Sequence, residues 1–269
     1  MAARLIPAPA IDAPLSRRAF WSLGVIGLAT FFALWSVAAL GGLTSRQFLP
    51  APWQVVATLL RLSEQPFAGY TLPQHLVSSL GRFLMGFGLA VAIGIPLGLL
   101  MAWSKAIDRI VTPLFEAVRF VAPIAWVPFA ALWFGTGIGG PVLIIFMGAF
   151  PPMLINTHRG ARQVDPTYLE AAETLGAGGW RTMSEVLLPA AMPAIVAGLR
   201  ISAGLGWQSL VGAELIVASS GVGYLMVKGQ SSLQTSVVMS GMIAIGIVGA
   251  AIDWLLRSMQ ARIELRRGR

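Results

Sequence analysis

No cysteine occurs anywhere in the 269 residues, which excludes a disulfide framework, a thiol nucleophile and a cysteine metal site. Histidine is nearly as scarce, and His75 and His158 stand too far apart in sequence to point to zinc. Charge is short as well. Asp, Glu, Lys and Arg make up 11% of the chain, where a soluble domain carries about 25%. The chain holds no G-x-x-x-x-G-K-[ST] phosphate loop and no His-Glu-x-x-His, Gly-x-Ser-x-Gly or paired-aspartate signature. Neither a nucleotide site nor an intramembrane hydrolase is therefore expected, and no cofactor is called for. No internal repeat of fixed period is evident.

What is abundant is apolar. Hydrophobic residues form 56% of the chain and mean hydropathy is +0.76, which points to a membrane protein embedded in lipid. A net charge of +8 and a pI near 11.2 would also suit a nucleic-acid partner. The basic residues cluster at the ends of apolar runs, however, so no nucleic acid is expected.

Residues 1–16 are rich in Ala and Pro and read as a tail. Arg17 and Arg18 then precede the apolar run 20–40, which spans about 31 Å as a helix. The paired arginines resemble the start of a twin-arginine export signal. The length of the run and the many spans that follow favour a retained first helix. Residues 53–62 are amphipathic and suit the membrane interface. A glycine-rich second span is expected over 79–103, and small residues there allow close helix approach. Residues 110–134 read as a broken third span, because Pro123 and Pro128 remove backbone donors. Further spans are expected at 142–156, 190–210 and 237–256. Residues 213–226, with Glu214, Gly221 and Gly223, read as a turn or partly embedded gate segment.

Thirteen Lys and Arg, among them Lys105, Arg159, Arg181 and Arg262, fall at one set of span ends. Only Arg46, Arg61 and Lys228 fall at the other. This asymmetry places both termini and the loop near Glu170 in the cytoplasm, in keeping with six helices. The expected organisation is a cytoplasmic tail over 1–19, a transmembrane domain over 20–258 with its main loop at about 158–189, and a basic tail over 259–269.

That loop contains EAAETLGAGGWRTMSEVLLP at residues 170–189, with three of the chain's eleven acidic residues. A short helix, a glycine break and a second helix entering the membrane at Pro189 is the local reading. The spacing Glu-Ala-Ala, three residues, Gly176, nine residues, Val186, one residue, Leu188-Pro189 resembles the coupling loop of permease subunits in binding-protein-dependent ABC importers. Val186 stands where that family more often shows Ile. FLPAP at 48–52, VRFVAPIAWVPFAALWFGTG at 118–137 and LGWQSLVGAELIVASSGVGYL at 205–225 are similar to the nitrate, taurine and aliphatic-sulfonate branch. The resemblance implies an all-α, six-transmembrane-helix type I ABC importer permease, multi-pass in the bacterial inner membrane. It implies a second copy of the permease, two cytoplasmic ABC ATPase subunits and an external solute-binding protein, with a small anionic solute. It further implies that Glu170, Ala171, Ala172, Leu175 and Gly176 contact the ATPase, and that the chain itself is not an enzyme. The alternative is an ion-driven secondary transporter, whose inverted repeats and midplane carboxylates are little in evidence.

Ionisable residues inside apolar runs are costly and mark functional candidates. Glu116 and Arg119, three apart, are placed to pair on one helix. Arg200 stands to pair with an acid or to meet an anion, and Glu214 to shape an outer gate. With Gly221 and Gly223, Arg119, Arg200 and Glu214 are the candidate path or gate residues. Arg82 and Asp253 are expected near span ends, as anchors. Trp126, Trp133 and Trp207 read as packing or interfacial residues ahead of a substrate cage.

Overall fold

The computed structural model describes residues 17–41 and 48–266, and the tails at 1–16 and 267–269 lie outside them. The described residues are helical, with no strand among them. Helix α1 (Arg17–Leu40) is exposed along most of its length. It is held at its far end, where the Trp35 indole donates to the Pro50 carbonyl at 3.1 Å. An apolar helix with so few protein contacts is solvated by lipid. Helix α2 (Pro52–Glu64) is amphipathic, as its pattern predicts, and turns Val55, Thr58 and Leu62 inward.

The centre is a trio of long helices, α3 (Leu72–Trp103), α6 (Gly139–Arg162) and α9 (Leu188–Val217). Prolines stand in the first turns of α2 and α3, where the missing N–H is no loss. Gln54 and Gln74 then reach back to the N–H groups of Ala51 and Thr71, at 3.0 and 2.9 Å. Along α3, buried small residues recur as Gly86, Ala90, Gly94 and Gly98, and they let α6 approach closely. A Cβ on Gly86 would lie 2.7 Å from the Ile145 Cβ, and one on Gly98 would lie 2.8 Å from the Thr157 Cβ. Gly94 faces Met153 between them. The three pairs keep a constant sequence offset, so α3 and α6 run parallel. Gly86→Val is expected to separate them at a cost of about 1–3 kcal/mol. A shift of the SDS-denaturation midpoint would show it, and an unchanged midpoint would sink the close-packing account.

Parallel neighbours require the chain to cross back between them. It does so through α4 (Lys105–Arg119), a 3₁₀ turn (Pro123–Trp126) and α5 (Val127–Phe134), which bend by 88° at the break. Ala122 is extended, the conformation a following proline favours (φ −57°, ψ 139°). Among the described residues five helices are long and apolar enough to cross a membrane, and six when the bent pair is counted as one broken span.

The fourth and sixth spans run longer than expected, to Arg162 and Arg266, and two further differences bear on the site. The second span begins at Leu72 instead of 79, so Arg82 lies ten residues inside it and is buried, not an anchor at an end. The fifth continues to Val217, so the stretch 213–226 is no single gate segment. Its first residues are the last turn of α9, and Val222 starts α10 (Val222–Ser231). Arg82 and Glu214 lie near the two expected ends, and each neutralises the other in three dimensions, as described below. Helix α11 (Thr235–Arg266) completes the chain, packed on α10 and α9.

Candidate functional site

The loop region forms α7 (Pro166–Thr174), a glycine turn, a short α8 (Gly179–Thr182) and a π-helical turn (Met183–Leu187) that runs straight into α9. Pro189 cannot donate to the Glu185 carbonyl, and Leu188 bonds instead to Met183, five residues back. Asp165 caps α7: its carboxylate accepts from the Thr167 N–H at 2.9 Å and the Thr167 hydroxyl at 2.7 Å. These two bonds hold the Asp165 carboxyl below the ordinary carboxylate range. A lowered folded pKa means the cap stabilises α7 above the unfolded pKa and is lost as pH falls through the folded one. Protection of the Thr167 amide against hydrogen exchange, measured relative to its intrinsic rate at each pH, is therefore expected to fall in acid. Asp165→Ala should show the same low protection already at neutral pH, and equal protection in both proteins would remove the cap from the account.

The end of α7 closes with two bonds, from the Gly176 N–H to Glu173 at 2.9 Å and from the Ala177 N–H to Ala172 at 3.0 Å. Gly176 takes φ +78° with open space where a Cβ would stand. Glycine is therefore required by torsion and not by crowding. Glu170, Ala171, Leu175 and Gly176 are exposed, Leu175 at 87%. Ala172 is buried and helps seat the helix on its own chain. Tyr168 (63% exposed) joins Ala171 and Leu175 at helical spacing, and Trp180 (79%) stands beyond the turn. Tyr168 and Trp180 were not singled out in sequence. Their signal was an aromatic ring in an otherwise polar stretch.

Beneath the loop, Asp108 at the start of α4 binds Arg162 at 3.1 Å and lies 3.4 Å from His158 of α6. The Thr112 hydroxyl donates to Asp108 at 2.9 Å. This cluster ties the bent crossing to the stem of the loop.

At the opposite end of α9 the structure assembles a buried polar cluster that sequence reasoning missed. Arg82 of α3 donates to Glu214 of α9 at 2.8 Å and to the Ser220 carbonyl at 2.7 Å. The Ser79 hydroxyl donates to the Glu214 carboxylate at 2.8 Å and accepts from the Val222 N–H at 3.0 Å. Glu214 also accepts from the Gly223 N–H at 3.0 Å. His75 accepts at Nδ1 from the Gly221 N–H (3.1 Å) and lies 3.0 Å through Nε2 from the Phe67 carbonyl. A neutral imidazole carrying its proton on Nε2 satisfies both bonds. The first three N–H groups of α10 thus find partners, and a carboxylate lies at the positive end of that helix.

The glycines follow from this closeness. Gly221 has φ +104° and a Cβ there would strike the Glu214 carboxylate; one on Gly223 would lie 2.5 Å from the Glu214 Cβ. Glu214, Gly221 and Gly223 are therefore brought together, as the sequence grouping anticipated, with Arg82 as the partner it lacked. Arg119 and Arg200 stand elsewhere. Arg119 binds Glu116 at 2.6 Å and lies at the bend, lining a cavity of about 390 Å³. Arg200 binds Asp253 at 2.7 Å, and Asp253 also binds Arg257 at 2.7 Å. Trp207 is buried, donating to the Ile245 carbonyl at 3.2 Å, a packing role. Among the described residues no cluster of three or more metal-ligating side chains occurs.

A family model described as "Binding-protein-dependent transport system inner membrane component" matches residues 94–269. The taurine transport system permease protein TauC of Escherichia coli is 38% identical over 251 residues, covering 93% of this chain and 90% of that protein. The bicarbonate transport system permease protein CmpB of Synechococcus elongatus is 31% identical, covering 88% and 90%. In fold, the chain is similar to a chain of the MetNI methionine ABC transporter in an inward-facing conformation, with a TM-score of 0.63 at 17% identity. That likeness covers 71% of this chain and 95% of the other.

Proposed function

Because the chain belongs to the family of binding-protein-dependent transport system inner membrane components, and is thus a multi-pass inner-membrane ABC permease subunit and not an enzyme, we propose how it couples ATP to uptake. Two copies form the path, two ATPase subunits dock on the face that carries α7, and a solute-binding protein delivers a small anion to the face that carries the Arg82–Glu214 cluster. Both tails and the loop face the cytoplasm, as the Lys and Arg asymmetry implies. The solute is of the kind named for the relatives, a taurine-like sulfonate or bicarbonate. Family membership disfavours the ion-driven alternative.

One observation carries this reading: the second half of the loop, on which α7 packs, forms one continuous helical run with α9 from Gly179 to Val217. Glu214 lies about 40 Å along α9 from its loop end, at 1.5 Å per residue. A push on α7 and α8 is therefore delivered to the residue that holds α10 at the far face. ATP-driven closure of the ATPases moves the loops of the two copies together, and the bundle switches from inward-open to outward-open. It is a two-state equilibrium biased by nucleotide on one side and by loaded binding protein on the other. The support is the exposed Tyr168–Ala171–Leu175 face beside a buried Ala172, the pattern of a helix that rests on its own chain and offers its other side to a partner.

The experiment is mild detergent purification of the complex, with ATPase and uptake assays in vesicles. Recovery of an ATPase stimulated by solute-loaded binding protein supports the importer. An intact chain that recovers no ATPase, and uptake lost to an uncoupler while ATP stays high, would return the ion-driven reading.

A further inference from the structure

We propose that Arg119 and Gln208 form a subsite for the oxyanion head of the solute, a sulfonate or carboxylate, beside the bend of the α4–α5 crossing. The cavity there holds about 390 Å³, room for a small solute, and no acidic residue lines it. Arg119, Gln208, Ser209, Gly148, Pro151 and Pro152 are among its walls.

Its polar groups are unequal. Arg119 uses Nε on Glu116 and lays one face of its guanidinium over the Phe120 ring at 4.4 Å, while its two terminal nitrogens have no hydrogen-bond partner among the described residues. A guanidinium edge left with paired donors matches the two oxygens of a carboxylate or sulfonate. The Gln208 amide likewise has no partner among the described residues and is exposed. Ser209 cannot give a proton to an anion, because its hydroxyl already donates to the Leu205 carbonyl at 2.8 Å.

The neighbouring cavity, about 400 Å³, shares Gln208 and Leu205 but differs in charge. There Arg200 is paired through Nε with Asp253, as Arg119 is with Glu116, but Asp253 itself lines the space, whereas Glu116 does not line the Arg119 side. The space with a guanidinium and no carboxylate in its walls is therefore the Arg119 side, with Gln208 at the border between the two. Arg119 closes a helix of 15 residues, about 22 Å from the start of α4, and Gln208 lies about 30 Å along α9. Donors without partners at such depth need water or a ligand, since lipid offers them nothing.

The absence of cysteine permits a direct test. Gln208→Cys is made in the full chain, in permeabilised native membranes. It is treated with a sulfonatoethyl and, separately, a trimethylammonioethyl methanethiosulfonate. The thiolate attacks the reagent sulfur, forms a disulfide and releases methanesulfinate. After normalisation to a free thiol, about a tenfold preference for the anionic reagent is expected. Excess ethanesulfonate should slow the reaction. Adding Arg119→Gln should abolish the preference, and adding Arg119→Lys should retain most of it. No reaction with either reagent, as when lipid or the second copy covers Gln208, would overturn the proposal. So would equal rates. The proposal takes its solute from the importer reading, but labelling reads the cavity without ATPase or binding protein. Failure of that reading would show separately, as wild-type membranes lacking ATP-driven uptake.

Discussion

Arg82→Met is expected to destabilise the protein by about 3–5 kcal/mol, because it leaves the Glu214 carboxylate buried without its cation. Both side chains are nearly inaccessible, at 7% and 1% exposure, so water cannot compensate. Loss of Arg82 also strands the Ser220 carbonyl, and the turn before α10 loses its tie to α3. The SDS-denaturation midpoint of the purified protein should fall, and ATP-driven uptake should fall at least tenfold with it. Glu214→Leu alone should be comparably damaging. It would leave Arg82 charged and free the Gly223 N–H. The double variant Arg82→Met, Glu214→Leu should regain part of the stability, since paired apolar groups avoid an uncompensated charge. It should not regain uptake, because Ser79 and the first turn of α10 remain without the carboxylate. A single Arg82 variant with an unchanged midpoint would mean the pair is not what holds the turn.

Glu170→Arg and Gly176→Val are expected to cut uptake more than tenfold while the six spans stay folded. Glu170 is exposed, so reversing its charge alters what the loop offers a partner and little else. Valine at Gly176 must adopt φ near +78°, which costs about 1–2 kcal/mol for a residue with a Cβ. That cost falls on the turn joining α7 to α8, and the turn would re-form in another geometry before the spans gave way. The informative measurement compares ATPase stimulation by loaded binding protein with uptake in the same vesicles. Hydrolysis without uptake, or loss of the ATPase on purification, marks the loop as the coupling element. Normal uptake by both variants would refute that role. Ala172→Leu differs in kind: Ala172 is buried, so the larger side chain should unseat α7 from its own chain.

Glu116 and Arg119 pair as their spacing on one helix predicts, because a three-residue separation brings side chains together without tertiary help. The broken third span was equally legible, since a proline disfavours helical backbone in the residue before it and Ala122, before Pro123, is extended. The same holds for the end of α7, where Gly176 announces a left-handed residue. Six crossings, the loop helix and the family likeness all rest on such local signals. They follow from the hydropathy of runs and the torsional habits of Gly and Pro.

Partners distant in sequence were another matter. Arg82 and Glu214 are 132 residues apart, and each alone looks like the edge of an apolar run. Only the antiparallel packing of α3 against α9 places a guanidinium beside a carboxylate, so only the tertiary structure turns two apparent boundaries into one buried pair. The bond from the Gly221 N–H to His75 and the pairing of Arg200 with Asp253 have the same origin. Lipid cannot neutralise a charge or satisfy a donor, so these groups are decided by whatever protein surrounds them. Sequence alone therefore settled which runs are apolar enough to cross a membrane and where the chain turns, while the packing of those helices settled which of its charges meet a partner from a distant part of the chain.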